Sequence, residues 1–170
     1  GEQVFHRIEA AARQLGFEYC AYGLRTSFTG VDTKISTLNN YPSNWRVRYK
    51  SLGYLDTDPT VLHGQRSQAP LIWGDEVFAS ARHFWEDARS FGLRFGWAQS
   101  SLDAPGVGGM LTLCRSGEAI SASELHDRSP RMQLLACIAH QALSRAFGRQ
   151  TSEGLICLTA RETEVLKWTA

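Results

Sequence analysis

The order of its periodicities restricts this chain more than any other feature. Segments 17–25 and 34–38 have strand character, as do 95–102 and 107–114, and the two pairs flank a middle stretch of helical spacing. A helical segment stands before the first pair and a longer one after the second. The polar turn DAPG (103–106) makes the second pair antiparallel, and SFTGVD (27–32) is a turn or loop in the first. Runs of strands with helices on both sides predict an α+β fold, a three-layer α-β-α sandwich on an antiparallel sheet.

The helices are legible from their apolar faces and their punctuation. Val4, Phe5, Ile8, Ala11, Ala12 and Leu15 recur at helical spacing, and Gly16 can end that helix. Tyr41, Trp45, Tyr49 and Leu52 share a face, with Pro42 at a first helical position and Gly53 at the end. Asp58-Pro59 reads as a capped helix start, and PLIW (70–73) is short and apolar. Val77, Phe78, Ala81, Phe84, Trp85, Ala88 and Phe91 give a third face, closed by Gly92. Ser129-Pro130 opens the most hydrophobic helix, with Met132, Leu135, Ile138, Ala139, Ala142, Leu143 and Ala146 on its face and a stop near Gly148. Residues 122–128 leave a separate helical turn open. The polar stretch RQTSEG starts a linker over 149–157, and Thr159 with Glu162 forms a capping box that starts a new helix in 158–170.

Charge and composition remove several functions. A net charge of +1 gives residues 1–148 no electrostatic grip on nucleic acid. No run of about 18 apolar residues spans a membrane, and GEQVFHRIEA lacks the apolar region of a signal peptide. A cytoplasmic protein is expected. Cys20, Cys114 and Cys137 sit in apolar runs and, like Cys157, lack a C-x-x-C partner, so they read as small buried hydrophobes in a reducing compartment. The five histidines show no metal-ligand spacing, and neither a metal nor another cofactor is expected.

Residues 41–73 carry the chemistry. Tyr41, Trp45 and Tyr49 each combine a flat apolar body with a polar tip, Asp58 follows, and Trp73 closes the segment. Pockets for small molecules have this character, mostly apolar with a few placed polar groups. The Trp45 indole can only donate, so it suits a carbonyl; an ionised Asp58 can only accept, so it suits an N–H. A neutral amide beside a carbonyl-bearing ring satisfies both. Two blander readings stand beside this one: Asp58 caps a helix without any ligand, and Trp45 and Trp73 simply pack the core.

The pattern Tyr41-Pro42-x-x-Trp45-x-x-x-Tyr49, then Asp58-Pro59, Trp73 and Gly96, resembles the signature of LuxR-type quorum-sensing transcription factors. LTARETEVLKWTA (158–170) resembles the opening of the helix-turn-helix DNA-binding domain in the same family. The resemblance implies an autoinducer-binding domain over 1–148, similar in architecture to GAF and PAS domains, with 158–170 as the truncated start of the DNA-binding domain. It implies an N-acyl-homoserine lactone as signal ligand. Trp45 would donate to the lactone carbonyl, Asp58 would accept from the amide N–H, and Tyr41 would donate to the amide carbonyl. Tyr49 and Trp73 would wall the ring, and Thr112 would meet the amide region or a 3-oxo group. Met110, Phe84, Trp85 and Ala88 would line the pocket, and Arg25 and Ala21 would bound the acyl tail. A homodimer is implied, with helix 130–148 as candidate surface, and DNA contact only through the missing C-terminal domain. SASELHDRSPRM is longer than the family pattern, which leaves its role open.

Two other classes fit less well. A lactone-processing enzyme lacks support, since G-x-S-x-G, H-x-H-x-D and a Cys with a nearby His are all absent. A GAF- or PAS-like sensor of a small molecule or cofactor shares the architecture and differs only in its pocket.

Overall fold

The computed structural model describes residues 1–27, 33–104 and 107–152. Helix α1 (Glu2–Gln14) precedes strands β1 (Tyr19–Thr26) and β2 (Lys34–Asn39). Helix α2 (Ser43–Ser51), a 3₁₀ turn (Tyr54–Asp56), α3 (Pro59–Gly64), the two-residue strand β3 (Leu71–Ile72) and α4 (Arg82–Ser90) form the middle stretch. Strands β4 (Phe95–Ala104) and β5 (Val107–Arg115) lead to the long helix α5 (Ala122–Ser152). The sheet is antiparallel with order β2-β1-β5-β4-β3, so the first and last strand pairs meet at β1 and β5.

Strand alternation divides the protein into two cores. Cys20, Tyr22 and Leu24 of β1, Trp97 of β4, and Leu111 and Leu113 of β5 pack with Phe5, Ile8 and Ala12 of α1 and with Met132, Ala136, Ala139 and Leu143 of α5. On the other side, Trp45, Tyr54, Phe78, Phe84, Trp85, Ala88 and Leu93 cluster with Cys114. Alternate residues of β1 and β5, namely Ala21, Gly23, Met110 and Thr112, border this second layer. The three-layer sandwich is therefore as expected. Gly16, Gly53 and Gly92, the residues expected to end helices, are the glycines with positive φ among the described residues.

Several boundaries differ from expectation. Helix α5 starts at Ala122, with Pro130 inside it, rather than at Ser129-Pro130. The Ser121 hydroxyl accepts from the Glu124 backbone N–H at 3.1 Å, a cap that precedes the proline. Arg115 then grips Glu124 with two bonds of 2.7 Å, and Arg128 donates to Glu124 at 2.6 Å and to the Leu15 carbonyl at 2.7 Å. This network pins 122–128 to the end of α1, so the segment left open at the sequence level is the first part of α5. The helix also runs past Gly148 to Ser152, so the first positions of the expected linker are helical. Residues 153–157, the capping box of Thr159 and Glu162, Cys157 and the turn positions 28–32 and 105–106 lie outside the described residues.

Residues 75–80 are turns rather than the start of a helix, although Phe78 still packs in the core at 1% exposure. Asp75 fixes them by accepting from the Trp85 indole N–H at 2.7 Å. Pro42 is the cap of α2 rather than its first residue. Cys20 and Cys114 are buried, and burial pushes the Cys20 thiol up to about 12, but Cys137 is exposed. It lies on the outer face of α5 beside Leu134 and Ile138, which are 60% and 50% exposed.

On the inner face of α5, His140 is 3% exposed, and its Nδ1 shares a 2.8 Å hydrogen bond with the Tyr22 hydroxyl. Gly109 makes room for this pair, since a Cβ there would lie 2.4 Å from both partners. No described helix is long and apolar enough to cross a membrane.

Candidate functional site

Between the sheet and the α2–α4 layer lies a cavity of about 1570 Å³. Its wall comes from α2, α3, α4 and the cavity-facing residues of β1, β2, β4 and β5. It also runs past the free edge of β2 to Glu2 and His6 of α1, which belong to the opposite layer, so it opens at that edge. Among the described residues no group of three or more His, Cys, Asp or Glu is placed to hold a metal ion.

Asp58 is the cap of α3, and it also borders the cavity. Its Oδ1 accepts from the Thr60 backbone N–H at 2.8 Å and from the Thr60 hydroxyl at 2.7 Å. Its Oδ2 accepts from the Tyr49 hydroxyl at 3.0 Å. A carboxylate has about four lone-pair positions, and three donors leave capacity for another. Asp58 is 7% exposed and pairs with no cation among the described residues. Burial raises its pKa, against the opposing bonds from Thr60 and Tyr49. A buried, singly charged acceptor without a counter-charge favours any further donor.

Trp45, 2% exposed, lines the same cavity, and its N–H has no protein partner among the described residues. Four rings fix the indole: Tyr49 at 5.7 Å, Tyr54 at 5.9 Å, Phe84 at 5.7 Å and Phe91 at 5.6 Å between centroids. Tyr41 lines the cavity as well, and burial foremost raises its phenol pKa well above the ordinary value. Burial does the same to Tyr49, with the neighbouring Asp58 charge adding to it. Both phenols therefore stay protonated and remain donors. Thr112, 5% exposed, contributes a hydroxyl from β5 without a protein partner among the described residues.

Trp73 supplies a wall. Its indole lies on Gly96, where a Cβ would stand 2.3 Å from the ring, and its own N–H is buried without a partner among the described residues. Phe84 and Ala88 of α4, Met110 of β5, and Ala21 and Arg25 of β1 complete the expected set. Trp85 departs from expectation: it does not border the cavity. One helical position past Phe84, it stacks on Phe78 at 4.3 Å, turned toward the outer turn that Asp75 closes.

Sequence reasoning passed over four contributors. Thr60 orients Asp58, and the Asp-x-Thr spacing at a helix start was its signal. Tyr54 stacks on Trp45 and donates to Asp87 at 2.5 Å, and Arg48 grips the same carboxylate at 2.8 and 3.3 Å. Bonds from Arg48 and then Tyr54 hold the Asp87 pKa below the usual carboxylate range. This clamp ties α2 to α4 above the Trp45 ring, and nothing in local spacing announces it.

Known proteins share this fold. Residues 1–143 match the family described as the autoinducer binding domain. The chain is 39% identical over 172 residues to the transcriptional activator protein AnoR of Acinetobacter nosocomialis, covering 99% of this chain and 72% of that protein. The structure of SdiA in complex with octanoyl-rac-glycerol superposes with a TM-score of 0.80 at 32% identity, over 99% of this chain and 69% of that one. The N-acylhomoserine lactone dependent LuxR family transcription factor CepR2 from Burkholderia cenocepacia gives 0.71 at 33% identity, over 81% of each chain.

Proposed function

The chain belongs to the autoinducer-binding domain family of LuxR-type quorum-sensing transcriptional regulators, and on that footing we propose that its cavity holds an N-acyl-homoserine lactone in one orientation. The opposite hydrogen-bond characters of two neighbouring wall residues support this most directly. Among the described residues, the buried acceptor Asp58 has no cation, and the N–H of the buried Trp45 ring has no acceptor. An acyl-homoserine lactone presents an amide N–H to the first and a ring carbonyl to the second. Tyr41 would donate to the amide carbonyl, Thr112 would meet the amide region or a 3-substituent, and Tyr49 and Trp73 would enclose the ring.

The acyl chain supplies most of the affinity, at roughly 0.8 kcal/mol per buried methylene, and the polar atoms select the head group. A site built to bond an amide rejects analogues without one, because its own buried groups then go unpaired. The ligand is a signal, bound and released unaltered, and the protein works in the cytoplasm without catalysing a reaction. The outer face of α5, with Leu134 and Ile138 exposed, would pair with a second copy. DNA contact would belong to the C-terminal region that begins at 158–170, beyond the end of α5 at Ser152.

Expression in the presence of a mixed set of acyl-homoserine lactones, followed by extraction of the purified chain and mass spectrometry, tests the reading. One intact lactone per chain, unchanged after long incubation, is expected. A ring-opened product would instead indicate an enzyme. A coloured cofactor, or no lactone at all, would remove the receptor interpretation.

A further inference from the structure

The sheet floor of the cavity consists of three cross-strand rows. The first row runs Asn39–Ala21–Thr112–Ala98, beneath the head-group residues. The second runs Thr37–Gly23–Met110–Ser100, and the third Ile35–Arg25–Gly108–Leu102. The side of the second row near β4 is narrowed by α3. Helix α3 lands there through Gly64, where a Cβ would lie 2.9 Å from the Met110 sulfur and 3.4 Å from Ser100 Cβ. The Ser100 hydroxyl donates to the Ser67 carbonyl at 2.5 Å and holds the chain after α3 against β4. A chain leaving the head group has less room above Met110 and Ser100, which border the cavity beneath α3, than above Gly23.

Gly23 stands on the open side of the same row. It occupies the same face of β1 as Ala21 and Arg25 and borders the cavity. A Cβ built on it would meet a single group within 4 Å, the Thr37 methyl at 3.9 Å. The space above Gly23 is therefore void, and it continues to Arg25 and Ile35 and to the opening at the edge of β2. Successive rows lie two residues apart, roughly 7 Å along the strand. A short acyl chain ends over the first row, whereas a long one must cross the second at Gly23.

We propose that Gly23 is the residue that sets acyl-chain length in this site, and that the missing side chain makes the protein a receptor for long-chain lactones. The proposal rests on the lactone reading above and adds the route and length of the tail. A valine at 23 would place two methyl groups in the open lane above β1. The strand itself would tolerate it, because valine favours strands and φ at 23 is not positive.

The test is titration of the chain, Gly23→Ala and Gly23→Val with butanoyl- and dodecanoyl-homoserine lactone, alongside thermal melts without ligand. Wild type should bind dodecanoyl lactone more tightly. Gly23→Val should weaken it about fiftyfold, the equivalent of about three methylenes left unburied. Butanoyl lactone should change by less than about threefold in the same variant. Gly23→Ala should fall between, and it carries the test if the valine variant fails to fold. An equal loss for both ligands, no loss for either, or a wild type that prefers butanoyl lactone overturns the role of Gly23 and leaves the receptor reading standing. A wild type that binds neither lactone overturns both.

Discussion

Replacing Asp58 with asparagine separates the two tasks of this residue. The amide oxygen can still accept from the Thr60 backbone and hydroxyl, which lie 2.8 and 2.7 Å from Oδ1, so the cap of α3 survives. The other position becomes an NH₂ group, a donor where Oδ2 accepts from Tyr49 at 3.0 Å. A lactone amide N–H then faces a donor. A hydrogen bond to a charged group contributes about 1.5–3 kcal/mol, so a loss near 2 kcal/mol means about thirtyfold weaker binding. At a lactone concentration of about one hundred times the wild-type Kd, wild type gains about 2.7 kcal/mol and the variant about 0.9 kcal/mol. For a domain of this size that is a rise in Tm of about 5–11 °C against about 2–4 °C.

The ligand-free melts should move the other way. Burial raises the Asp58 pKa in the folded protein, so its contribution to stability is greatest below the ordinary carboxylate pKa. That contribution declines as pH rises through the raised value, because the folded state then has to hold a buried charge. The asparagine variant lacks this slope and should melt at or above wild type at neutral pH. Differential scanning fluorimetry with and without lactone reads both effects. Equal lactone-induced shifts in the two proteins would refute the bond to Asp58. An asparagine variant that unfolds without ligand would refute the claim that its cap survives.

Gly96→Ala should force Trp73 off its seat, since the new Cβ would lie 2.3–2.6 Å from three indole atoms. Overpacking of this kind costs about 1–3 kcal/mol; a thermal melt and a lactone titration should both show the loss, and an unchanged melt would contradict the placement of the indole. Leu134→Glu with Ile138→Glu should convert a dimer into a monomer in sedimentation while lactone binding persists. A wild type that stays monomeric at high concentration would count against pairing through α5.

What the sequence disclosed was mostly what local rules determine. A short aromatic-rich run in 17–25 and the turn DAPG before 107–114 marked the strands, and Asp58-Pro59 announced the start of α3 through a side chain two residues from its partner. The start of α5 was harder, because Pro130 is a strong local signal and the clamp of Arg115 on Glu124 that outweighs it bridges nine residues. Trp85 illustrates the same limit at the site. Periodicity placed it on the apolar face of α4 with Phe84, and only the turn closed by Asp75 decides that one ring borders the cavity and the other does not. Gly23 left no trace at all, since an absent side chain acquires meaning only when the void above it is known.

Tyr22 and Gly23 are joined by one peptide unit, yet one is bonded to His140 on α5 and the other underlies the cavity. A ligand seated over Gly23 would lie one strand's thickness from the hydrogen bond that joins β1 to α5.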